Sequence, residues 1–125
     1  MPRDQQACLA DVVDFCDAIK TATRNLDFKE YLEDPLVRSS VEREFIIIGE
    51  AMSALARIAP ETYRAMTSSR RIVDLQKQWT HEYSKVDDAL VWAIVENDVA
   101  VLRRESAELI DLLSSADEDD RLPEV

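Results

Sequence analysis

Glycine and proline are scarce in this 125-residue chain: glycine occurs once and proline four times. Because these two residues mark most tight turns, their scarcity argues against a turn-rich sheet protein. With 46% apolar and 33% charged residues, the chain has a globular rather than a disordered composition. Its length suits one domain with a single core. We therefore predict an all-α fold.

Metal-binding and disulfide-forming residues are also scarce, with one histidine, His81, and two cysteines, Cys8 and Cys16. On one helix the two cysteines would lie roughly 12 Å apart, beyond the ~7 Å that a disulfide can bridge. We predict reduced core thiols, no metal site and no cofactor. No apolar run approaches the ~20 residues of a membrane span, and the N-terminus lacks the layout of a signal peptide. A soluble, cytoplasmic protein is expected.

The net charge of −11 is unevenly distributed. Residues 60–85 carry five basic and three acidic side chains, whereas residues 86–125 carry three basic and twelve acidic ones. The one basic segment therefore surrounds His81. An acidic chain binds polyanions poorly as a whole, so any contact with nucleic acid would have to be local.

Apolar residues at helical spacing predict four long helices, over about 3–24, 36–59, 71–84 and 87–115. Pro35 suits the first turn of the second helix, Pro60 ends it, and Asp87 is placed to cap the last one. With short helical pieces between them, these segments form a bundle of four to five helices. We assign residues 1–115 to the bundle and 116–125 to an acidic, disordered tail.

The helix around His81 is the one place where chemistry is indicated. Lys77 and Lys85 lie four residues before and after His81, on the same helical face. Two ammonium groups disfavour a protonated imidazole, so the histidine would be neutral and able to accept a proton near pH 7. Such a base could deprotonate an RNA 2′-hydroxyl while nearby cations steady the phosphate. A lone histidine is more often an ordinary surface residue, and the pattern alone does not separate the two.

Three segments resemble the HepT-like toxins of the HEPN superfamily. The family's His-x-Tyr tripeptide, with the pattern that follows it, is matched by THEYSKVDDALVWAIVENDV (80–99). Its apolar run ending in IGEA is matched by VEREFIIIGEA (41–51), and its short connection after the first helix by LDFKEYLED (26–34). The resemblance covers nearly the whole chain. It implies a HEPN-type helical bundle that dimerises, here through the second helix and the histidine helix. It also implies a metal-independent endoribonuclease toxin that acts on RNA, paired with a minimal nucleotidyltransferase antitoxin.

The family motif is Arg, four residues, His, one residue, Tyr. His81 matches the histidine, which implies the catalytic base, and Tyr83 matches the tyrosine, which implies the hydroxyl to which the antitoxin transfers AMP. The chain departs from the motif at Gln76, where the family has arginine, and at Lys77, where it usually has asparagine. A glutamine amide lacks the permanent charge and forked donors of a guanidinium.

The candidate catalytic set is thus His81, Lys77 and Gln76, with Lys77, or Arg70 and Arg71 from the preceding loop, as the substitute cation. The alternative is a catalytically lapsed, dimeric partner-binding module, which Gln76 favours. A purely structural helical module is a third possibility.

Arg43 and Glu50 lie seven residues apart on one face of the second predicted helix. In the family interpretation they line the cleft near the histidine helix, and in the structural interpretation they serve an ion pair. Trp79 and Trp92 lie on apolar stripes and are predicted to anchor the core rather than to stack on bases.

Overall fold

The computed structural model describes residues 4–67, 69–81 and 87–121; for residues 76, 78–81 and 116–121 it describes the backbone alone. These ranges contain seven helices and no strand, which confirms the all-α bundle. The helices are α1 (Gln5–Thr23), α2 (Phe28–Glu33), α3 (Pro35–Ile58), α4 (Pro60–Ala65), α5 (Ser69–His81), α6 (Asp88–Asn97) and α7 (Val99–Arg121).

The helix number exceeds the predicted four or five because α2 and α4 are separate six-residue helices and the last predicted helix is divided. The division falls at Asp98, between α6 and α7. The end of α7 also differs, since it continues to Arg121 rather than stopping at Ser115. Three of the six added residues (116–121) are aspartates, which are poor helix formers, so local composition does not predict this extension. The last four residues of the predicted tail lie outside the described residues.

Aspartate side chains define the start of four helices. In each case a carboxylate accepts a hydrogen bond from a free backbone N–H of the first turn, which stabilises a helix by about 1 kcal/mol. The four bonds are Ala7 N to Asp4 (2.8 Å), Glu30 N to Asp27 (2.8 Å), Val37 N to Asp34 (3.2 Å) and Ala89 N to Asp87 (2.9 Å). The predicted cap at Asp87 and the predicted first-turn position of Pro35 are therefore confirmed.

The core is built around α3, which packs against α1, α2, α4 and α5. Its predicted seam is buried along its length: Val41, Phe45, Ile48, Met52 and Leu55. Across from it, α1 buries an apolar face that includes both cysteines, which are free thiols as predicted. In the described ranges, no helix has the length and apolar character of a membrane span.

Side-chain contacts fix the direction of α1. Its first residue, Gln5, accepts a hydrogen bond from Thr62 of α4 (2.9 Å), just beyond the end of α3. Towards its other end, Asp17 pairs with Arg103 near the start of α7 (2.8 Å). Thus α1 runs antiparallel to both α3 and α7, and these three long helices form the frame that supports α5 and α6.

Candidate functional site

The helix that carries His81 is held against the bundle by its apolar face. Ile72, Val73 and Leu75 of α5 are buried in the common core. At the start of α5, the Ser69 hydroxyl donates to the carbonyl oxygens of Met66 (3.1 Å) and Tyr63 (3.3 Å), so it ties the connection together rather than capping the helix. His81 is the final residue of α5.

Contacts at both ends of α6 indicate where the His81 end of α5 lies. Arg71, in the first turn of α5, pairs with Asp98 directly after α6 (3.1 Å). Only residues 82–86 separate the end of α5 from the Asp87 cap at the start of α6. The two helices therefore run in opposite directions, and His81 lies at the end of the bundle where α6 begins. There Asp88 contacts Arg38 of α3 (3.7 Å), so the first half of α3 is part of the same region.

The structure separates the candidate substitute cations. Arg70 and Arg71 lie at the start of α5, and Arg71 is roughly 15 Å from His81 along the helix axis. Arg71 is also engaged by Asp98, so it cannot serve as the phosphate clamp in this arrangement. Lys77 is exposed and lies one turn before His81, rotated from it by only about 40°. Gln76 is rotated by about 140°, which leaves Lys77 as the α5 cation nearest in position to His81.

The two α3 candidates occupy different surroundings. Arg43 is exposed and lines a groove of about 400 Å³ together with Ser39, Glu42, Ile46 and Ile47. Glu50 is exposed two turns farther along α3, and among the described residues it is not part of that groove. Within those residues no ion pair joins it to Arg43, so the structural ion pair considered for the two does not form.

A polar cluster at the same end of the bundle was not predicted from the sequence. It consists of Tyr31 on α2, Arg38 and Glu42 on α3, and Asp88 on α6. Burial, then Asp88 and to a lesser extent Glu42, raise the pKa of Tyr31 to about 12 against the opposing effect of Arg38. Burial, and then Asp88, raise the pKa of Glu42. The cluster depends on packing between three helices, and no local spacing in the sequence indicates it.

The described residues include only some of the remaining candidates. Tyr83 lies outside the described residues, as do the side chains of His81, Gln76 and Trp79. Trp92 is a core anchor as predicted, with its ring centroid 5.1 Å from Tyr31 and 6.3 Å from Phe28. Among the side chains that are described, no group of three or more histidine, cysteine or carboxylate residues is arranged to hold a metal ion.

Comparison with known proteins identifies the family to which this arrangement belongs. The family model Ribonuclease HepT-like matches residues 12–109, which include α5 and every candidate site residue. The chain belongs to the HepT-like ribonuclease family. The resemblance noted in the sequence is thus confirmed, and the family supports a ribonuclease type of function.

Relatives of similar length also match. "Putative RNase MJ1216" of Methanocaldococcus jannaschii is 24% identical over 93% of this chain and 95% of its own. "Putative RNase MJ1380" of the same organism is 28% identical over 82% and 94%, respectively. "Probable ribonuclease HepT" of Thermococcus cleftensis is 26% identical over 82% and 93%. No solved structure matches the chain.

Proposed function

We propose that this HepT-like protein is a cytoplasmic endoribonuclease toxin that cleaves RNA without a metal ion, with His81 as its general base. The observation that supports the proposal most is the position of His81 within the family match, at the end of α5, with the exposed Lys77 one turn before it. A base and a cation one helical turn apart can address adjacent atoms of one phosphodiester.

The proposed chemistry is an internal transesterification. The imidazole of His81 takes the proton from a ribose 2′-hydroxyl, and the 2′-oxygen forms a bond to the adjacent phosphorus. The bond from phosphorus to the 5′-oxygen breaks, that oxygen takes a proton from solvent water, and the protonated His81 later returns its proton to solvent. Lys77 stabilises the charge on the phosphate in the transition state. The products are a 2′,3′-cyclic phosphate and a 5′-hydroxyl.

We further propose that Tyr83 is the control point, as in the family motif. A minimal nucleotidyltransferase antitoxin would form a bond between the Tyr83 hydroxyl oxygen and the α-phosphorus of ATP, releasing pyrophosphate. The attached AMP adds bulk and negative charge two residues from His81. Both effects would oppose the approach of RNA phosphates.

A homodimer fits this proposal. Pairing two copies through α3 and α5 would bring two His81 residues and two basic segments to one cleft. Arg43 would line that cleft from α3, where it is already exposed in a groove. The doubled local positive charge would partly offset the overall −11 of each chain during RNA entry.

Gln76 favours a second candidate function, a catalytically lapsed dimer that only binds its partner. Loss of a guanidinium from an anionic transition-state site costs several kcal/mol by analogy with a lost oxyanion donor. In that case the antitoxin-facing Tyr83 and the dimer surface would be retained, but RNA would not be cut.

One assay separates the two functions. The purified full-length protein is incubated with single-stranded RNA and tRNA in EDTA, beside His81→Ala and an Arg104→Ala control on α7. The proposal predicts cleavage by the wild type and by Arg104→Ala, and a loss of at least about 100-fold in His81→Ala. An inactive wild type together with an active Gln76→Arg would establish the lapsed form instead.

A further inference from the structure

A groove of about 970 Å³ lies between the end of α1, the connection to α2 and one face of α6. We call it the α1/α6 groove. Its described lining contains no residue of α3 or α5, so within the described residues it shares none with the groove around Arg43. Its volume is at the upper end of the range of about 300–1,000 Å³ found for small-molecule sites.

The local sequence explains the shape of this groove. After α1 ends at Thr23, Asn25 adopts a left-handed conformation (φ 65°), which asparagine tolerates better than most residues. The Leu26 N–H donates to the Thr23 carbonyl (3.1 Å) and closes a tight turn. The turn brings Phe28, the first residue of α2, close to the end of α1. The last turn of α1 and Phe28 thereby line the same space.

One wall of the α1/α6 groove is aromatic. Phe28 is half-buried, and its ring centroid lies 6.3 Å from that of Trp92 on α6. Leu26 and Val95 continue the apolar surface on either side. Aromatic rings held in place by a protein core are suitable surfaces for a planar base.

Two cations lie at the groove. Lys20 and Arg24 are both exposed at the end of α1, and neither forms a salt bridge within the described residues. The C-terminal end of α1 carries the negative end of the helix dipole. Both positions therefore favour a cation even in the unbound protein. An ammonium and a guanidinium on one helix end are well suited to bind a phosphate.

Three carboxylates line the same groove, and two of them are engaged. Asp17 is paired with Arg103 (2.8 and 3.4 Å), and Asp27 forms a capping box with Glu30 at the start of α2. Glu96 of α6 is exposed, and no salt bridge engages it in the described part of the chain. An ionised carboxylate can accept hydrogen bonds but cannot donate them, and a hydroxyl group is one donor that it can bind.

We propose that the α1/α6 groove binds one ribonucleotide unit. The base would lie against Phe28, the phosphate would lie between Lys20 and Arg24, and Glu96 would accept hydrogen bonds from the ribose hydroxyls. The unit is either a free ribonucleoside 5′-phosphate or one nucleotide of single-stranded RNA. In the second case the inference rests on the proposed function, because the groove then contacts the substrate RNA.

The test is isothermal titration calorimetry on the full-length protein. GMP and dGMP are titrated into the wild type, and a ten-nucleotide single-stranded RNA is titrated into the His81→Ala variant. We expect GMP to bind at least fivefold more tightly than dGMP, because Glu96 engages the 2′-hydroxyl. Arg24→Ala should weaken binding at least fivefold, whereas Arg104→Ala, which removes the same charge from α7, should leave it within twofold. Phe28→Leu should also weaken GMP binding, with its melting temperature measured as a control for folding.

The two possible sources of the nucleotide give different results. If GMP binds as tightly as the RNA, the groove is a mononucleotide site. If the RNA binds at least tenfold more tightly than GMP, and Arg24→Ala weakens RNA binding by that same factor, the groove is an RNA contact. The inference is overturned if neither ligand binds, or if Arg24→Ala and Arg104→Ala have equal effects. Because these are binding measurements, a wild type that fails to cleave RNA would refute the proposed function without affecting them.

Discussion

The guanidinium of Arg71 lies 3.1 Å from the carboxylate of Asp98, joining the first turn of α5 to the junction of α6 and α7. The Asp98 side chain is only 13% exposed, so water solvates its carboxylate less than it would a surface carboxylate and the contact with Arg71 matters more. The pair fixes the direction of the helix that carries His81. It also engages Arg71, one of the cations considered as a replacement for the family arginine, at the opposite end of α5 from His81.

We expect Arg71→Ala to destabilise the protein by about 1 kcal/mol, because it leaves the largely buried Asp98 carboxylate without its cation. Asp98→Asn should cost less, since the amide carries no charge. A double-mutant cycle by urea denaturation should give a coupling energy of roughly 0.5–1 kcal/mol. Purely additive effects would show that the contact makes no energetic contribution to the position of α5.

The buried thiol of Cys16 should be unreactive in the folded protein. Burial, and to a lesser extent Asp17, raise the pKa of Cys16 to about 12 against the opposing effects of Arg103 and Lys20. At pH 8 only about one thiol in ten thousand would be ionised, and the thiolate is the reactive form. We predict no reaction of Cys16 with a thiol reagent at pH 8 in native buffer and full reaction in guanidinium chloride. Rapid labelling of the native protein would contradict the packing of α1.

Glu42→Gln should stabilise the protein at neutral pH. Burial, and then Asp88, raise the pKa of Glu42 above its ordinary 4.5, so the folded state holds this proton more tightly than the unfolded state does. Ionisation of Glu42 therefore lowers stability above the folded pKa, and the loss is relieved as pH falls through that pKa towards 4.5. We expect a gain of about a few tenths of a kcal/mol at pH 7, since water screens much of the interaction.

Melting curves of Glu42→Gln and wild type between pH 4 and pH 7.5 check this sign. The difference in melting temperature should be about 1–2 °C at pH 7 and should shrink towards pH 4.5. Glu50→Gln, an exposed change on the same helix, is the matched control. A difference that grows as the pH falls would contradict the electrostatic account of the cluster formed by Tyr31, Arg38, Glu42 and Asp88.

The role of Lys77 as the substitute cation can be tested separately from that of His81. Lys77→Ala should lower the rate of RNA cleavage at least about tenfold, because it removes a positive charge that stabilises the phosphate in the transition state. Gln76→Arg should raise the rate by restoring the family guanidinium. Rates on a single fluorescent RNA substrate, with Arg70→Ala as the control, measure both effects. Equal losses in Lys77→Ala and Arg70→Ala would point to a general effect of charge on RNA binding.

Most of the framework could be predicted from the sequence because it depends on local patterns. The apolar seam of α3, the start of α3 at Pro35 and the Asp87 cap are all encoded within one or two helical turns. The break at Asp98 could not be predicted in this way, because the apolar spacing continues across it.

The site was predictable in part. The His-x-Tyr tripeptide indicates His81 and Tyr83 as candidates, and Gln76 stands where the family motif has arginine. The sequence alone did not show that Arg71 pairs with Asp98, because that contact joins residues on two different helices. The α1/α6 groove is likewise a product of packing, since Lys20 and Trp92 are far apart in sequence and line one space only after α6 packs beside the end of α1.

The central claim is that His81 promotes attack by a ribose 2′-hydroxyl, and the chemical ends of the RNA fragments test it most directly. In this experiment RNA is incubated with the full-length protein in EDTA, and the fragments are analysed by mass spectrometry. The account predicts 2′,3′-cyclic phosphate and 5′-hydroxyl ends that are absent with His81→Ala. Fragments ending in a 3′-hydroxyl and a 5′-phosphate, or cyclic phosphate ends that persist in His81→Ala, would contradict it.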